Sequence, residues 1–268
     1  MTKGSAILCK AWQGKWALIT GASAGIGEAL ATELAAAGTN LVLTARRKDR
    51  LEALAAQLVA EYGIQTRVIV ADLEQPDASN KIFAETEGAG LQIDVLVNNA
   101  GFGYYGEFAK GEPARQAAMV QVNCTAIVVL TNLFLPKMIA RQGGDILIVA
   151  STASYQPVAY LSTYAATKVF DRFLAEAMAE EVKRYGIRVS ALCPGPTESE
   201  FGAVAGLSLN QMRGFQKADI VARRGLEGLV KGKHWVIPYV VGQMGVFAQR
   251  FFPRRLVTAG VEKAFRPK

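Results

Sequence analysis

Thr20 to Gly27 read TGASAGIG, directly after the apolar run Trp16–Thr20, which predicts a β-strand. Glycine permits a tight turn and lets backbone N–H groups approach a pyrophosphate at the N-terminus of a helix, where anions bind well. A helix-like segment, Ile26–Ala37, follows at once and ends before Gly38. The spacing differs from the common G-x-G-x-x-G pattern, so a plain strand-to-helix turn is the alternative, and the rest of the chain must decide.

Short apolar runs alternate with longer amphipathic segments along the chain. Apolar runs without strict alternation are typical of strands covered on both faces, and helices between strands give right-handed crossovers and a parallel sheet. We therefore predict an α/β fold with a doubly wound sheet of about seven parallel strands in three layers, α/β/α. The strands are Trp16–Thr20, Asn40–Thr44, Thr66–Ala71, Asp94–Asn98, Ile146–Ala150, Ile187–Cys193 and Trp235–Ile237. The predicted helices are Ile26–Ala37, Arg50–Tyr62, Asp77–Glu87, Arg115–Ile139 and Thr163–Tyr185.

The organisation of the chain favours one domain over residues 1–268. Its 268 residues are 51% hydrophobic, enough for one large core, and no repeat or linker divides them. A stretch at about 195–214 is rich in Gly, Ser and Glu, which predicts a mobile substrate loop with short helices beside the site. A basic C-terminal extension covers about 239–268.

Cysteine, histidine and apolar-run content indicate a cytoplasmic protein. The three cysteines lie far apart, which favours reduced thiols over disulfides. No continuous apolar run approaches about 18 residues and Met1–Gln13 lacks a signal-peptide pattern, so we expect no membrane span or leader. His234 is the single histidine, which argues against a histidine-based metal site or a Ser–His triad.

The positive charge of the chain is concentrated at its C-terminal end. The net charge is +7, and residues 223–268 alone contain ten basic and two acidic residues. One interpretation is a basic amphipathic segment that lies on an anionic membrane or binds an acidic carrier protein. The other is a core strand followed by a helix that covers the substrate cleft or a dimer face. We expect no nucleic-acid partner, because no recognition module accompanies the charge.

Two arginines follow the second predicted strand. An acid at this place in a dinucleotide-binding fold would accept hydrogen bonds from the adenosine ribose and select NAD. Arg46 and Arg47 stand there instead, and guanidinium groups pair well with phosphate. They favour the 2′-phosphate of NADP(H), although a solvated charge run that opens the next helix is the alternative.

Polar residues downstream indicate proton-transfer chemistry. Tyr164 and Lys168 are four residues apart and share one face of a helix, where a cation favours the phenolate and lowers a tyrosine pKa from its usual value of about 10. Ser151 follows the fifth predicted strand, so it can hold a substrate oxygen while Tyr164 transfers its proton. Alone, the Tyr–Lys pair is an ordinary helix-surface pair. Asn123 interrupts an apolar helix, and its simpler interpretation is a structural bridge from helix to loop.

Together these segments resemble the short-chain dehydrogenase/reductase family, in its carbonyl or ketoacyl reductase-like branch. The similarity runs from about Lys15 to Ser199 and implies a Rossmann-type fold. Its motifs stand in family order and spacing: Thr20–Gly27, Asp72-Leu73, Asn98–Gly101, Asn123, Ser151, Tyr164–Lys168 and Pro194–Thr197. Many relatives end in a strand and an Asp-Gly-Gly turn, whereas this chain reads His234–Pro238 and continues for about thirty residues.

The resemblance implies a role for each matched position. Ser151, Tyr164 and Lys168 would be catalytic, with Lys168 also on the nicotinamide ribose and Asn123 organising a proton-relay water. The phosphates and adenosine of NADP(H) would be bound by Gly21, Ser23, Gly25, Ile26 and Gly27, with Arg46 and Arg47 at the 2′-phosphate. The remaining cofactor contacts would be Asp72, Leu73, Asn98, Ala100, Pro194, Gly195, Thr197 and Ser199.

The implied function is NADPH-dependent reduction of a ketone or aldehyde, reversible as alcohol oxidation. The partner would be a small, apolar carbonyl compound, with a lining guessed from Phe102, Tyr104, Tyr155, Tyr160, Phe201 and Leu207. A homodimer or homotetramer is expected. The alternative from another class is a non-catalytic NADP-binding sensor or scaffold, although such proteins usually lose the tyrosine or the lysine. A sugar-nucleotide epimerase would normally need a larger C-terminal domain.

Overall fold

The sheet at the centre of the fold contains seven strands, as predicted. The computed structural model describes residues 3–207 and 216–267. All neighbouring strands are parallel, in the order β3-β2-β1-β4-β5-β6-β7. The strands are β1 (Trp16–Thr20), β2 (Asn40–Ala45), β3 (Thr66–Val70), β4 (Val95–Asn98), β5 (Gly144–Val149), β6 (Ile187–Leu192) and β7 (Trp235–Val236).

The helices between the strands follow the predicted pattern to within a few residues. The described helices are α1 (Lys3–Trp12), α2 (Gly25–Ala36), α3 (Lys48–Tyr62), α4 (Ala78–Ala84), α5 (Pro113–Val120), α6 (Ala126–Ala140), α7 (Ser162–Val182), α8 (Phe201–Ala205), α9 (Ala218–Val230), α10 (Val240–Ala248) and α11 (Arg254–Phe265). Helices α1 and α9 were not predicted, and no bounds were predicted for α8, α10 and α11. Of the loop predicted at about 195–214, residues 208–214 lie outside the described part of the chain, and its described part includes α8.

The helices form one layer on each face of the sheet, which explains why the strands are apolar on both sides. Helices α1, α2, α3 and α9 pack on one face through residues such as Leu34 and Leu226. Helices α4, α6 and α7 pack on the other through residues such as Phe134 and Met178. The predicted three-layer α/β/α arrangement is thereby confirmed. Because all seven strands are parallel, their carboxyl ends lie at one edge of the sheet.

One long apolar helix bears on the expectation that the chain has no membrane span. Helices α5 and α6 join through a π-helical turn, Gln121–Thr125, into one helix from Pro113 to Ala140. By length and composition this helix could cross a membrane, since an 18-residue window within it has a mean hydropathy of 1.8. The search for unbroken apolar runs in the sequence does not find this helix, because polar residues interrupt it and it is apolar only on average. Here Leu130, Phe134 and Met138 are buried against the sheet, as in the core helix of a globular domain.

A buried polar cluster fixes α1 to the sheet. Asp145, at the start of β5, accepts a hydrogen bond of 2.7 Å from the indole of Trp12 in α1. The same carboxylate accepts two hydrogen bonds, of 2.6 and 2.8 Å, from the guanidinium of Arg188 in β6. Because both oxygens of the carboxylate are satisfied, its burial is compensated.

Removal of this carboxylate should destabilise the fold. Asp145→Ala leaves Trp12 and Arg188 without their partner, so we expect the free energy of unfolding to fall by about 3 kcal/mol. Glu52→Ala is the matched control, since it removes an exposed carboxylate paired with Lys48 and should cost less than about 1 kcal/mol. Chemical denaturation measures both. Equal losses in the two variants would contradict the assignment.

Candidate active site

A cavity of about 470 Å³ opens at the carboxyl edge of the sheet. It lies where the strand order reverses between β1 and β4, the place at which open α/β sheets bind ligands. The turns after β1 and β2 form one end, and the segments after β5 and β6 form the other together with α7. The cavity therefore joins the predicted cofactor residues to the predicted catalytic residues.

All but two of the predicted site residues line this cavity. The two exceptions are Asn98 and Asn123. The lining residues are Gly21, Ser23, Gly25, Ile26, Gly27, Arg46, Arg47, Asp72, Leu73, Ala100, Ser151, Tyr164, Lys168, Pro194, Gly195, Thr197 and Ser199.

The glycine turn at the cofactor end cannot hold side chains. Gly21 and Gly25 have φ angles of +65° and +60°, in the left-handed region that favours glycine. A Cβ atom on Gly27 would lie 2.2 Å from the carbonyl oxygen of Gly21. The glycines thus leave the backbone of the turn uncovered at these positions, beside the N-terminal end of α2. This geometry fits a pyrophosphate group.

The two arginines lie at the same end of the cavity and are paired with acids. Arg47 donates to the hydroxyl of Ser23 at 3.0 Å and to Glu200 at 2.7 Å. Arg46 forms an exposed ion pair of 3.0 Å with Glu74. Exposed pairs of this kind are weak, so a phosphate with two negative charges can compete for the guanidinium groups. The donor set fits the 2′-phosphate of NADP(H).

Tyr164, Ser151 and Lys168 meet at the other end of the cavity. The side chain of Ser151 lies near the phenol of Tyr164 and lowers its pKa. The ammonium of Lys168 lies 5.9 Å from the centre of the Tyr164 ring, one helical turn away on α7. The hydroxyl of Ser151 also accepts a hydrogen bond from the backbone of Ala153, which fixes its direction. A phenol, a hydroxyl and an ammonium therefore face one volume.

The pKa of Tyr164 is set by opposing effects. Burial raises it above its usual value, and this effect is the largest. The charge of Lys168 lowers it, as the sequence predicts, and so does the side chain of Ser151, but together they offset burial only in part, so the pKa is raised overall. The phenol is thus held as a proton donor at neutral pH, the form that reduction of a carbonyl requires.

Lys168 has a buried counter-ion that the sequence analysis missed. Its ammonium donates to Asp171 at 2.9 Å and to the carbonyl oxygen of Val149 at 2.8 Å. Asp171 is fully buried, and burial raises its pKa to about 6, against the lowering effect of Lys168. Burial works to lower the pKa of Lys168, but Asp171 reverses this and raises it overall. The signal was the acid three residues after Lys168, on the same helix face.

The two asparagines outside the cavity have structural contacts. The prediction that Asn98 contacts the ribose does not agree with its placement, since its buried side chain donates to Thr131 in α6. The next residue, Asn99, lines the cavity instead and donates to the carbonyls of Thr20 and Gly21. Consecutive side chains at a strand end point to opposite sides, so one position decides which faces the ligand.

Asn123 connects the π-helical turn to the loop after β4. Its side chain accepts from the backbone N–H of Phe102 at 3.1 Å and donates to the carbonyl of the same residue at 3.0 Å. A third hydrogen bond runs to the hydroxyl of Thr167 on α7. These bonds are those of the structural bridge from helix to loop. The proton-relay role implied by the resemblance stays a prediction.

The wall beside Tyr164 is apolar. It includes three residues of the predicted lining, Phe102, Phe201 and Leu207, whereas Tyr104, Tyr155 and Tyr160 do not line the cavity. Tyr155 is turned towards Cys193 and Arg172, and Tyr160 towards Glu262. The remaining apolar residues of this wall were not predicted: Val158, Leu161, Val204 and Phe265.

Helix α11 closes part of this wall from far along the chain. Val261 and Phe265 pack with Val158 and Leu161, and the hydroxyl of Tyr105 donates to the carbonyl of Phe265 at 2.7 Å. The C-terminal helix therefore covers part of the cleft, one of the two interpretations of the C-terminal end.

The family model described as short chain dehydrogenase matches residues 15–207. A very-long-chain 3-oxoacyl-CoA reductase from Bos taurus is 36% identical over 187 residues, which cover 68% of this chain and 59% of the relative. The chain thus matches about three-fifths of the length of such curated relatives. A short-chain dehydrogenase from Sphingobium yanoikuyae, solved with NADPH, has 30% identity and a TM-score of 0.80, covering 88% of this chain and 93% of that one. A 7beta-hydroxysteroid dehydrogenase has 25% identity and a TM-score of 0.85, covering 94% and 98%.

The chain belongs to the short-chain dehydrogenase/reductase family, which the fold, the site and the family match all define. Its seven-stranded parallel sheet is the Rossmann-type sheet of the solved relatives. The predicted cofactor, NADP(H), is confirmed at the level of the family, which includes the NADPH-bound neighbour. The glycine turn and the arginine pair are where this chain would hold it.

The charge of Asp171 should be visible in a pH profile. Asp171→Asn keeps a hydrogen-bonding side chain but removes a charge that raises the pKa of Tyr164. Alcohol oxidation needs the ionised phenol, so its rate rises with pH through this pKa. The rise should move to lower pH in the variant, which keeps the other side chains that shift the pKa of Tyr164, namely Lys168, Ser151 and Cys193.

The measurement is log kcat/KM for alcohol oxidation against pH. The difference from the parent should appear above pH about 6, where Asp171 of the parent is ionised, and should fade below it. Glu176→Gln, which changes a carboxylate paired with Arg172 on the same helix, is the control and should leave the profile in place. A profile that is identical in Asp171→Asn and the parent would refute the charge argument.

The arginine pair should determine the preference for NADPH over NADH. Arg46→Ala with Arg47→Ala removes two charge-assisted contacts, so we expect NADPH affinity to fall about tenfold or more while NADH affinity changes little. Glu200→Gln should act in the opposite direction, because it releases Arg47 and Arg50 from their shared carboxylate. Fluorescence titration with each nucleotide measures both effects. Equal affinities for NADPH and NADH in the parent protein would defeat the assignment.

Proposed function

We propose that the chain catalyses the NADPH-dependent reduction of a ketone or aldehyde to an alcohol, reversibly, with Tyr164 as the general acid and base. One observation carries the proposal. One cavity is lined by a glycine turn and two arginines at one end, and by a phenol, a hydroxyl and an ammonium at the other. A carbonyl group and a dinucleotide can therefore meet in it.

The residues of this chain divide the proton chemistry between them. The bound cofactor supplies the hydride. Ser151 holds the carbonyl oxygen by a hydrogen bond, which polarises the carbonyl group. Tyr164 donates its proton to that oxygen as the alcohol forms and takes it back in the reverse direction. Lys168 stabilises the phenolate that remains, and its own charge is held in place by Asp171 and the carbonyl of Val149.

The substrate class that we favour is a 3-oxoacyl thioester or another ketone on an apolar chain. Two observations support this choice. The wall beside Tyr164 is built from apolar side chains such as Val158, Leu161, Phe201 and Phe265. The curated relatives at 36–38% identity are very-long-chain 3-oxoacyl-CoA reductases. An apolar wall binds an acyl chain through burial of its methylene groups.

The proposed compartment is the cytoplasm. All three cysteines are free, and Cys193 is buried beside Tyr155, which suits a reducing compartment.

The sensor or scaffold alternative gains no support from the site, because Tyr164, Lys168 and Ser151 are all present and face the cavity.

Tyr164→Phe should separate catalysis from binding. The variant keeps the aromatic ring but loses the proton, so we expect turnover to fall about a hundredfold or more while NADPH still binds. The assay follows NADPH absorbance with 3-oxoacyl thioesters of increasing chain length, and with short aliphatic, aromatic and steroid ketones. The longer acyl thioesters should have the higher kcat/KM.

The control is Tyr155→Phe, which removes a hydroxyl that points to Cys193 outside the cavity. It should keep its rate. A protein that binds NADPH but turns over no member of the panel would favour the sensor or scaffold. A preference for short or steroid ketones would overturn the acyl-chain assignment and leave the reductase intact.

A further inference from the structure

The segment after β7 exposes a row of apolar side chains that the fold does not cover. Val240, Met244, Phe247 and Phe251 are spaced by four, three and four residues, so they lie on one side of α10 and the turn that follows it. Their exposed fractions are 62, 65, 58 and 72%. We call these four side chains, with their exposed neighbours Val241, Phe252 and Leu256, the C-terminal apolar face.

Basic residues flank this face without acidic partners. Arg250, Arg254 and Arg255 are exposed and form no ion pair with any residue that the structure describes, whereas Arg223, Lys231 and Arg266 each form one. The sequence has no acidic residue between Glu227 and Glu262. The charges next to the C-terminal apolar face are therefore all positive.

Two of these arginines occupy positions that the helix itself disfavours. Arg254 and Arg255 open α11, where the helix dipole is positive and acidic residues are preferred. The first turn of α11 contains no acid. Local helix stability therefore does not explain why Arg254 and Arg255 stand at this place. Attraction to an external anionic surface would explain them.

We propose that the C-terminal apolar face, with Arg250, Arg254 and Arg255, is a docking surface for an anionic lipid membrane. Exposed phenylalanines on a short apolar helix and its following turn, next to arginines, match the chemistry of a lipid interface, where apolar side chains enter the acyl boundary and cations meet lipid phosphates. A protein interface of standard size needs about 20–30 residues on each side, more than this face provides. The proposal goes beyond the proposed reaction and does not depend on it.

The surface lies next to the mouth of the cleft. Helix α11 contributes Leu256 to the C-terminal apolar face, while Val261 and Phe265 on the same helix pack at the apolar wall of the cavity. Docking would therefore place the cleft close to the lipid. If the substrate is an acyl compound, as proposed above, the chain would reach it at the membrane surface.

The test is sedimentation of the purified full chain with vesicles. We expect binding to phosphatidylglycerol/phosphatidylcholine vesicles to exceed binding to phosphatidylcholine vesicles by about tenfold, and added salt to weaken it. Arg254→Glu with Arg255→Glu should lower binding to the anionic vesicles about tenfold or more, and Phe247→Ser with Phe251→Ser should lower it similarly. Nucleotide binding checks that each variant is folded.

The matched control is Val59→Ser with Arg67→Glu. Val59 on α3 and Arg67 on β3 are exposed and lie at the β3 edge of the sheet, opposite the β7 edge from which the C-terminal segment leaves. This variant should bind vesicles like the parent. Absence of vesicle binding, or an equal loss in the control, would overturn the proposal.

The other occupants of the surface have their own signatures, and either would also overturn it. If a second copy covers the C-terminal apolar face, the parent would be an oligomer that Phe247→Ser with Phe251→Ser dissociates, without binding vesicles. If an acidic carrier protein covers it, the carrier would bind with an affinity sensitive to Arg254 and Arg255 while anionic vesicles would not. A homodimer or homotetramer that forms through another surface is compatible with membrane docking.

Discussion

The site depends on one constraint, the meeting of parallel strands at a single edge of the sheet. Because every strand ends at the same edge, the segments after β1, β2, β5 and β6 are brought together although they are far apart in sequence. The reversal of strand order between β1 and β4 leaves a crevice there, because the helices that follow these two strands lie on opposite faces of the sheet. The positions at which these strands end therefore bring the glycine turn and the Ser–Tyr–Lys cluster to one crevice.

Within that crevice, burial and charge compete for control of Tyr164. Burial raises the pKa of the phenol, and the cation of Lys168 can offset only part of that rise. The cation itself needs a counter-charge to remain buried, and Asp171 supplies it at 2.9 Å. The same carboxylate raises the pKa of Tyr164 further, so the three groups form one electrostatic unit.

Much of the fold and of the site could be predicted from the sequence, because both are encoded locally. Apolar runs separated by helices define a parallel sheet, and Tyr164 with Lys168 define a helix face by their spacing alone. Local patterns could not tell which of Asn98 and Asn99 faces the cavity, since that depends on how the side chains alternate at the end of β4. They also could not place Phe265, which reaches the cleft only through the tertiary packing of α11.

The most direct test of this site is a crystal structure of the full chain with bound NADPH. We expect the nicotinamide ring to lie beside Tyr164, Ser151 and Lys168, and the adenosine 2′-phosphate to lie between Arg46 and Arg47. A nucleotide bound in the reverse direction, or outside the crevice between β1 and β4, would contradict it.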